Sequence, residues 1–98
     1  MMQRQGDLLI VRIKSLPASA QSQKSRVLAE GEATGHLHEL DENSDVFEGK
    51  GTLYFRVKEN ARSKLTHPEH HTLTFEPGEY RVIRQREYEP NGWRNAHD

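Results

Sequence analysis

The stretch TGHLHELDENSDVFEGKGTLYF (residues 34–55) decides the fold. Its end alternates: Leu53 and Phe55 fall on one side, Thr52 and Tyr54 on the other, and Arg56 and Val57 continue the pattern. Period two over this length is the mark of a half-buried strand. Just before it, Gly49 and Gly51 bracket Lys50, a turn signal between two apolar runs. The DENSD segment (41–45) is a second, very polar turn. Upstream, His36 and His38 stand two apart, so on a strand both imidazoles project from the same face.

Similar patterns flank this stretch. DLLIVRIK (7–14) reads as a strand with Leu9, Val11 and Ile13 on one face and Leu8, Ile10 and Arg12 on the other, covered on both sides for much of its length. Pro17 ends it, and PASAQSQKS (17–25), almost without apolar side chains, is expected to be a flexible surface loop. RVLAEG (26–31) and ATGHLHEL (33–40) look like one strand interrupted at Gly31 and Gly35, where a bulge is expected. KLTHPEHHTLTF (64–75) splits into two short strands around Pro68, with Leu73 and Phe75 facing inward. YRVIRQREY (80–88) is the last long strand, and its charges suit a solvated edge that resists further pairing. A loosely anchored tail follows, with Trp93 as its one anchor.

Six to eight short strands with turn signals every 8–12 residues predict a single all-β domain over residues 1–98, a small β-barrel or β-sandwich. Its expected core is Leu9, Val11, Ile13, Leu53, Phe55, Val57, Leu73, Phe75 and Val82.

Composition narrows the function. The chain has 98 residues, 33% hydrophobic and 30% charged, so any core is thin. A formal net charge of −1 argues against non-specific binding to nucleic acid or acidic membranes, which needs a basic excess. The arginines and tyrosines of residues 80–88 are diluted by Glu79, Glu87 and Glu89, so a nucleic-acid partner is not expected. With no cysteine, disulfides, thiolate metal sites and cysteine nucleophiles are excluded. The N-terminal MMQRQGDLLIVRIK lacks the pattern of a signal peptide, and no apolar run reaches membrane-spanning length. A soluble, cytoplasmic protein is expected.

Five of the six histidines fall in two groups, His36 and His38, then His67, His70 and His71. With Glu42 they form an N/O donor set of the kind that takes zinc, nickel, iron or manganese. The expected donors are His36, His38, Glu42, His67 and His71, with His70 as the alternative to its neighbour. His70 and His71 are adjacent, so on a strand only one of them shares a face with a given site. Surface or interface histidines, or a pH-responsive surface, are the competing readings.

The spacing His36-x-His38, three residues, Glu42, six residues, Gly49 resembles the first histidine motif of the cupin superfamily, and FEGKGTLYF (47–55) resembles the strand–turn–strand that follows it there. The resemblance covers about twenty residues. It implies a cupin-like β-barrel and a histidine-held metal. The second cupin motif is not matched: Pro77 and Gly78 are adjacent and are followed by Glu79, Tyr80 and Arg81, with no histidine. QGDLLIVRI and RVLAEGEATG also resemble the opening strands of co-chaperonin barrels, a likeness of fold alone. Two functions are therefore expected. The first is a non-catalytic β-domain acting through a protein partner or self-association. The alternative is a histidine-based metal-binding protein, a metalloenzyme included.

Overall fold

A computed structural model describes residues 2–30 and 36–85. Ten strands and no α-helix occur among the described residues: β1 (Met2–Gln5), β2 (Leu8–Ile13), β3 (Gln21–Gln23), β4 (Val27–Glu30), β5 (Leu37–Leu40), β6 (Ser44–Gly49), β7 (Thr52–Val57), β8 (Ser63–His67), β9 (His70–Phe75) and β10 (Gly78–Arg84). They form two antiparallel sheets, one of six strands in the order β1-β2-β10-β7-β6-β3 and one of four in the order β4-β5-β8-β9. No closed barrel is found among the described residues; the ladders stay separate. The open seam between β1 and β9 is stitched by side chains, with Gln3 Nε2 donating to Thr74 O (3.4 Å) and Gln5 Nε2 to His71 O (2.7 Å).

The core lies between the sheets. The six-stranded sheet contributes Leu8, Ile10, Val46, Phe55, Val57, Tyr80 and Val82; the four-stranded sheet contributes Leu28, Ala29, Leu40, Leu65 and Phe75. Phe55, Phe75 and Tyr80 meet at ring-centre distances of 4.9–5.2 Å and are fully buried. The Tyr80 hydroxyl donates to Glu76 O (2.7 Å), so its polar end is satisfied. A register shift between Val27 and Ala29 lets the adjacent Leu28 and Ala29 both turn inward.

Four expectations change. Residues 27–30 and 37–40 are two strands, β4 and β5, paired antiparallel, where one interrupted strand was expected, and the register shift falls between Val27 and Ala29. In β2 the buried residues are Leu8 and Ile10, while Leu9, Val11 and Ile13 form the half-covered outer face. Both faces of that strand are apolar, so alternation identifies the strand and leaves the inward face open. Strand β10 is no edge: it lies between β2 and β7, with Tyr80 and Val82 in the core and Arg81 on the solvent face. Residues 21–23, inside the expected loop, add β3 to the edge of β6. Strand β1 was not foreseen, because MMQRQ has no apolar alternation. Gly31, Gly35, Arg86, Tyr88, Trp93 and His97 lie outside the described residues.

Candidate functional site

Strand β5 carries the first histidines. Alternation turns His38 (3% exposed) inward alongside Leu40, and His36, just before the strand, is half-buried. The second group sits on the β8–β9 hairpin, where Pro68 and Glu69 form a two-residue turn and His67 pairs across it with His70. Residues that flank such a turn share a face, so both imidazoles stand on one side and His71 on the other. The turn is held locally: the Glu69 N–H donates to His67 Nδ1 (3.0 Å).

Pairing of β5 with β8 carries the hairpin to the first group. The His38 ring lies 4.3 Å from that of His67 and 6.0 Å from that of His70, centre to centre. His67 and His70 are 4.5 Å apart, and His36 is 5.7 Å from His67. Four imidazoles from three segments thus form one cluster. The β1–β2 turn closes it. Gly6 has a φ of +61°, suiting the first central position of a type II′ hairpin, and a Cβ there would lie 2.9 Å from His70 Nε2.

Of the five expected donors, His36, His38 and His67 belong to the cluster, and His70 joins it where His71 was named. His71 is exposed, and its part in the site is its carbonyl, which accepts from Gln5. Glu42 is exposed beyond the far end of β5, lining a shallow groove with Arg26, Asp41 and Lys64. Among the described residues no three histidine or carboxylate side chains stand as a formed metal site. The rings are gathered while two of their nitrogens are engaged elsewhere: His67 Nδ1 with the Glu69 N–H, and His38 Nδ1 with Gln5 Oε1 (2.9 Å).

A family profile described as a domain of unknown function, DUF8820, matches residues 4–85. The chain belongs to the DUF8820 family. The DUF8820 match opens within β1 and closes just after β10, so it takes in nearly all of both sheets and every member of the cluster. No curated protein and no solved structure shows significant similarity to the chain.

Electrostatics in this DUF8820 domain favour the neutral form of His38 and His67. Burial, then the neighbouring His67, lowers the His38 pKa to about 4, against an opposing pull from Asp7. His67 is lowered too, by burial first and then by His70 and His36, because adjacent imidazolium ions repel. His36 Nδ1 lies 3.7 Å from the exposed Glu69 carboxylate. Sequence reasoning missed Gln5, which is buried at 2% exposure among these groups. Its only signal is its position beside the Gly-Asp turn, and that does not point to a site.

Proposed function

We propose that this domain acts by binding, and that its histidine cluster takes a divalent transition metal ion that favours imidazole ligands. The observation that carries this reading is the convergence of His36, His38, His67 and His70 from segments distant in the chain. Two imidazoles on one zinc ion at ~2.1 Å, a tetrahedral angle apart, have ring centres roughly 5 Å apart, close to the 4.3–6.0 Å spread of these rings. The donor set is nitrogen-rich and thiolate-free, suiting zinc or nickel. His38 is the fixed donor. His36, His67 and His70 are half-buried or exposed and have room to turn, and His67 must release the Glu69 N–H to offer Nδ1.

Untagged protein should melt at higher temperature with zinc or nickel at pH 7.5. An ion at a hundred times its Kd adds about 2.7 kcal/mol to the folded state, or roughly 10–20 °C in a domain this size. His38→Ala should abolish the rise and His71→Ala should leave it. A melting temperature indifferent to both ions refutes the reading.

A second reading, a protein partner or a second copy, is favoured by the outer face of the six-stranded sheet. There Val11, Arg81, Tyr54 and Phe47 form one cross-strand row, with Leu9 and Ile83 beside it and the Arg56 guanidinium 5.3 Å from the Phe47 ring centre. Accessible aromatic and arginine side chains of this kind are enriched in interfaces. Under this reading, sedimentation velocity shows concentration-dependent self-association that Phe47→Glu removes. A concentration-independent monomer rules out the second copy.

A further inference from the structure

Gln5 ties both sheets to the histidine cluster. It ends β1, at the edge of the six-stranded sheet, yet its amide lies among strands of the other sheet. Its Nε2 donates two hydrogen bonds, to Leu65 O on β8 (2.9 Å) and to His71 O on β9 (2.7 Å). Its Oε1 lies 2.9 Å from His38 Nδ1.

The orientation of this amide is forced. Turned end for end, Oε1 would face two carbonyl oxygens at these distances, which is repulsive, and two backbone acceptors would lose their donors. With Nε2 directed at the carbonyls, Oε1 faces His38 and can only accept. His38 Nδ1 must therefore carry a proton. In a neutral imidazole the lone pair is then on Nε2.

We propose that Gln5 is the positioning residue of the cluster: its amide, fixed by the carbonyls of Leu65 and His71, holds His38 in the Nδ1–H form and so readies Nε2 to bind the metal ion. The inference rests on the metal reading and deepens it. A ligating histidine commonly donates its second ring nitrogen to a fixed acceptor, which sets ring orientation and raises the basicity of the ligating nitrogen. Here the acceptor is a neutral amide, and the acceptor is itself held by two strands of the same hairpin that delivers His67 and His70. The β8–β9 hairpin therefore positions the cluster twice, once through its own imidazoles and once through Gln5. The opposite arrangement at His67, whose Nδ1 accepts the Glu69 N–H, puts the proton of that neutral ring on Nε2. The two neighbouring rings are thus held in opposite tautomers in the metal-free protein.

The test has two arms, both on the full chain. Long-range proton–nitrogen spectra of metal-free, isotopically labelled protein at pH 7.5 should show His38 with a protonated Nδ1 and a lone pair on Nε2. Zinc and nickel titrations should then compare wild type, Gln5→Met and Gln5→Glu. Both variants lose the amide donors to Leu65 O and His71 O, and Gln5→Glu also sets a carboxylate oxygen against those carbonyls, so both should be less stable than wild type, Gln5→Glu the more so. Only Gln5→Glu keeps an acceptor for His38 Nδ1–H. Gln5→Met should bind either ion about 10–100-fold more weakly, the usual loss for an outer partner of a ligand, and Gln5→Glu should recover most of that loss. A lone pair on His38 Nδ1 in wild type overturns the proposal, as does equal weakening in both variants, which would mark Gln5 as structural only. If wild type binds neither ion, the metal reading fails, and the spectra still decide whether Gln5 sets the tautomer. Should either variant fail to fold, the wild-type spectra carry the decision.

Discussion

His38 is a neutral imidazole in the interior, and its protonation opposes folding. Its pKa in the fold is about 4, against 6.5 for the free side chain. The unfolded chain therefore binds a proton below about pH 6.5 that the folded chain refuses until about pH 4. Stability from this residue is complete above pH 6.5 and is lost as pH falls through that window, by on the order of 3 kcal/mol. Asp41 acts in the same direction at lower pH. Burial alone would raise its pKa, but hydrogen bonds from Ser63 Oγ (2.7 Å) and from the N–H groups of Asn43 and Lys64 (both 3.0 Å) hold it below the usual carboxylate value. Urea unfolding at pH 7.0, 5.5 and 4.5 should show a steady fall in stability, and His38→Gln should flatten much of it. A level profile in wild type contradicts the buried neutral imidazole.

Two hairpin turns show how an element is fixed by one or two backbone angles. In the β6–β7 turn, Lys50 and Gly51 have φ values of +53° and +82°, the left-handed pair that a two-residue type I′ turn requires. Nothing lies within 4 Å of a Cβ built at Gly51, so Gly51→Ala should cost only the backbone preference, about 1 kcal/mol. At Gly6 the same φ problem is joined by contact with His70 Nε2 and His38 Cε1, at 2.9 and 3.2 Å. Gly6→Ala should therefore cost more and should move the ring resonances of His70 and His38, while Gly51→Ala leaves them in place. Equal costs, with unmoved resonances, would show that the β1–β2 turn does not close the cluster. The β8–β9 turn settles which of the adjacent His70 and His71 faces the site. Alternation requires that they differ; only the pairing of His67 with His70 says which.

The whole molecule rests on a thin core with one dense centre, the contact of Phe55, Phe75 and Tyr80. Phe55 comes from the middle of the six-stranded sheet and Phe75 from the edge of the other, so this contact holds the layers together. Phe55→Ala should cost about 3–5 kcal/mol. Against a total of roughly 5–15 kcal/mol for a domain of this kind, that loss should lower the urea midpoint steeply and loosen the histidine cluster with it. A variant with an unchanged midpoint would place the centre of stability elsewhere. Among the described residues no helix is long and apolar enough to cross a membrane.

Most of the strands, though not β1 or β3, were legible from the chain, because side-chain direction alternates on any extended backbone: Leu53, Phe55 and Val57 on one face, His38 and Leu40 on one face of β5, and the glycine turn between β6 and β7. These are local properties, set by residues a few positions apart. Tertiary packing decided the rest. It chose Leu8 and Ile10 over Leu9, Val11 and Ile13, since each set is apolar enough to face a core and only the second sheet covers one of them. It placed charged β10 in the middle of a sheet, because Arg81 projects to solvent and Arg84, at the end of the strand, reaches Asp7 (3.6 Å), so neither prevents pairing at both edges. It buried Gln5, a residue whose place in the interior depends on two carbonyls and one imidazole from three other strands. Convergence of the two histidine groups has the same cause: their spacing in the chain carries no distance, and the distance was set when β5 paired with β8.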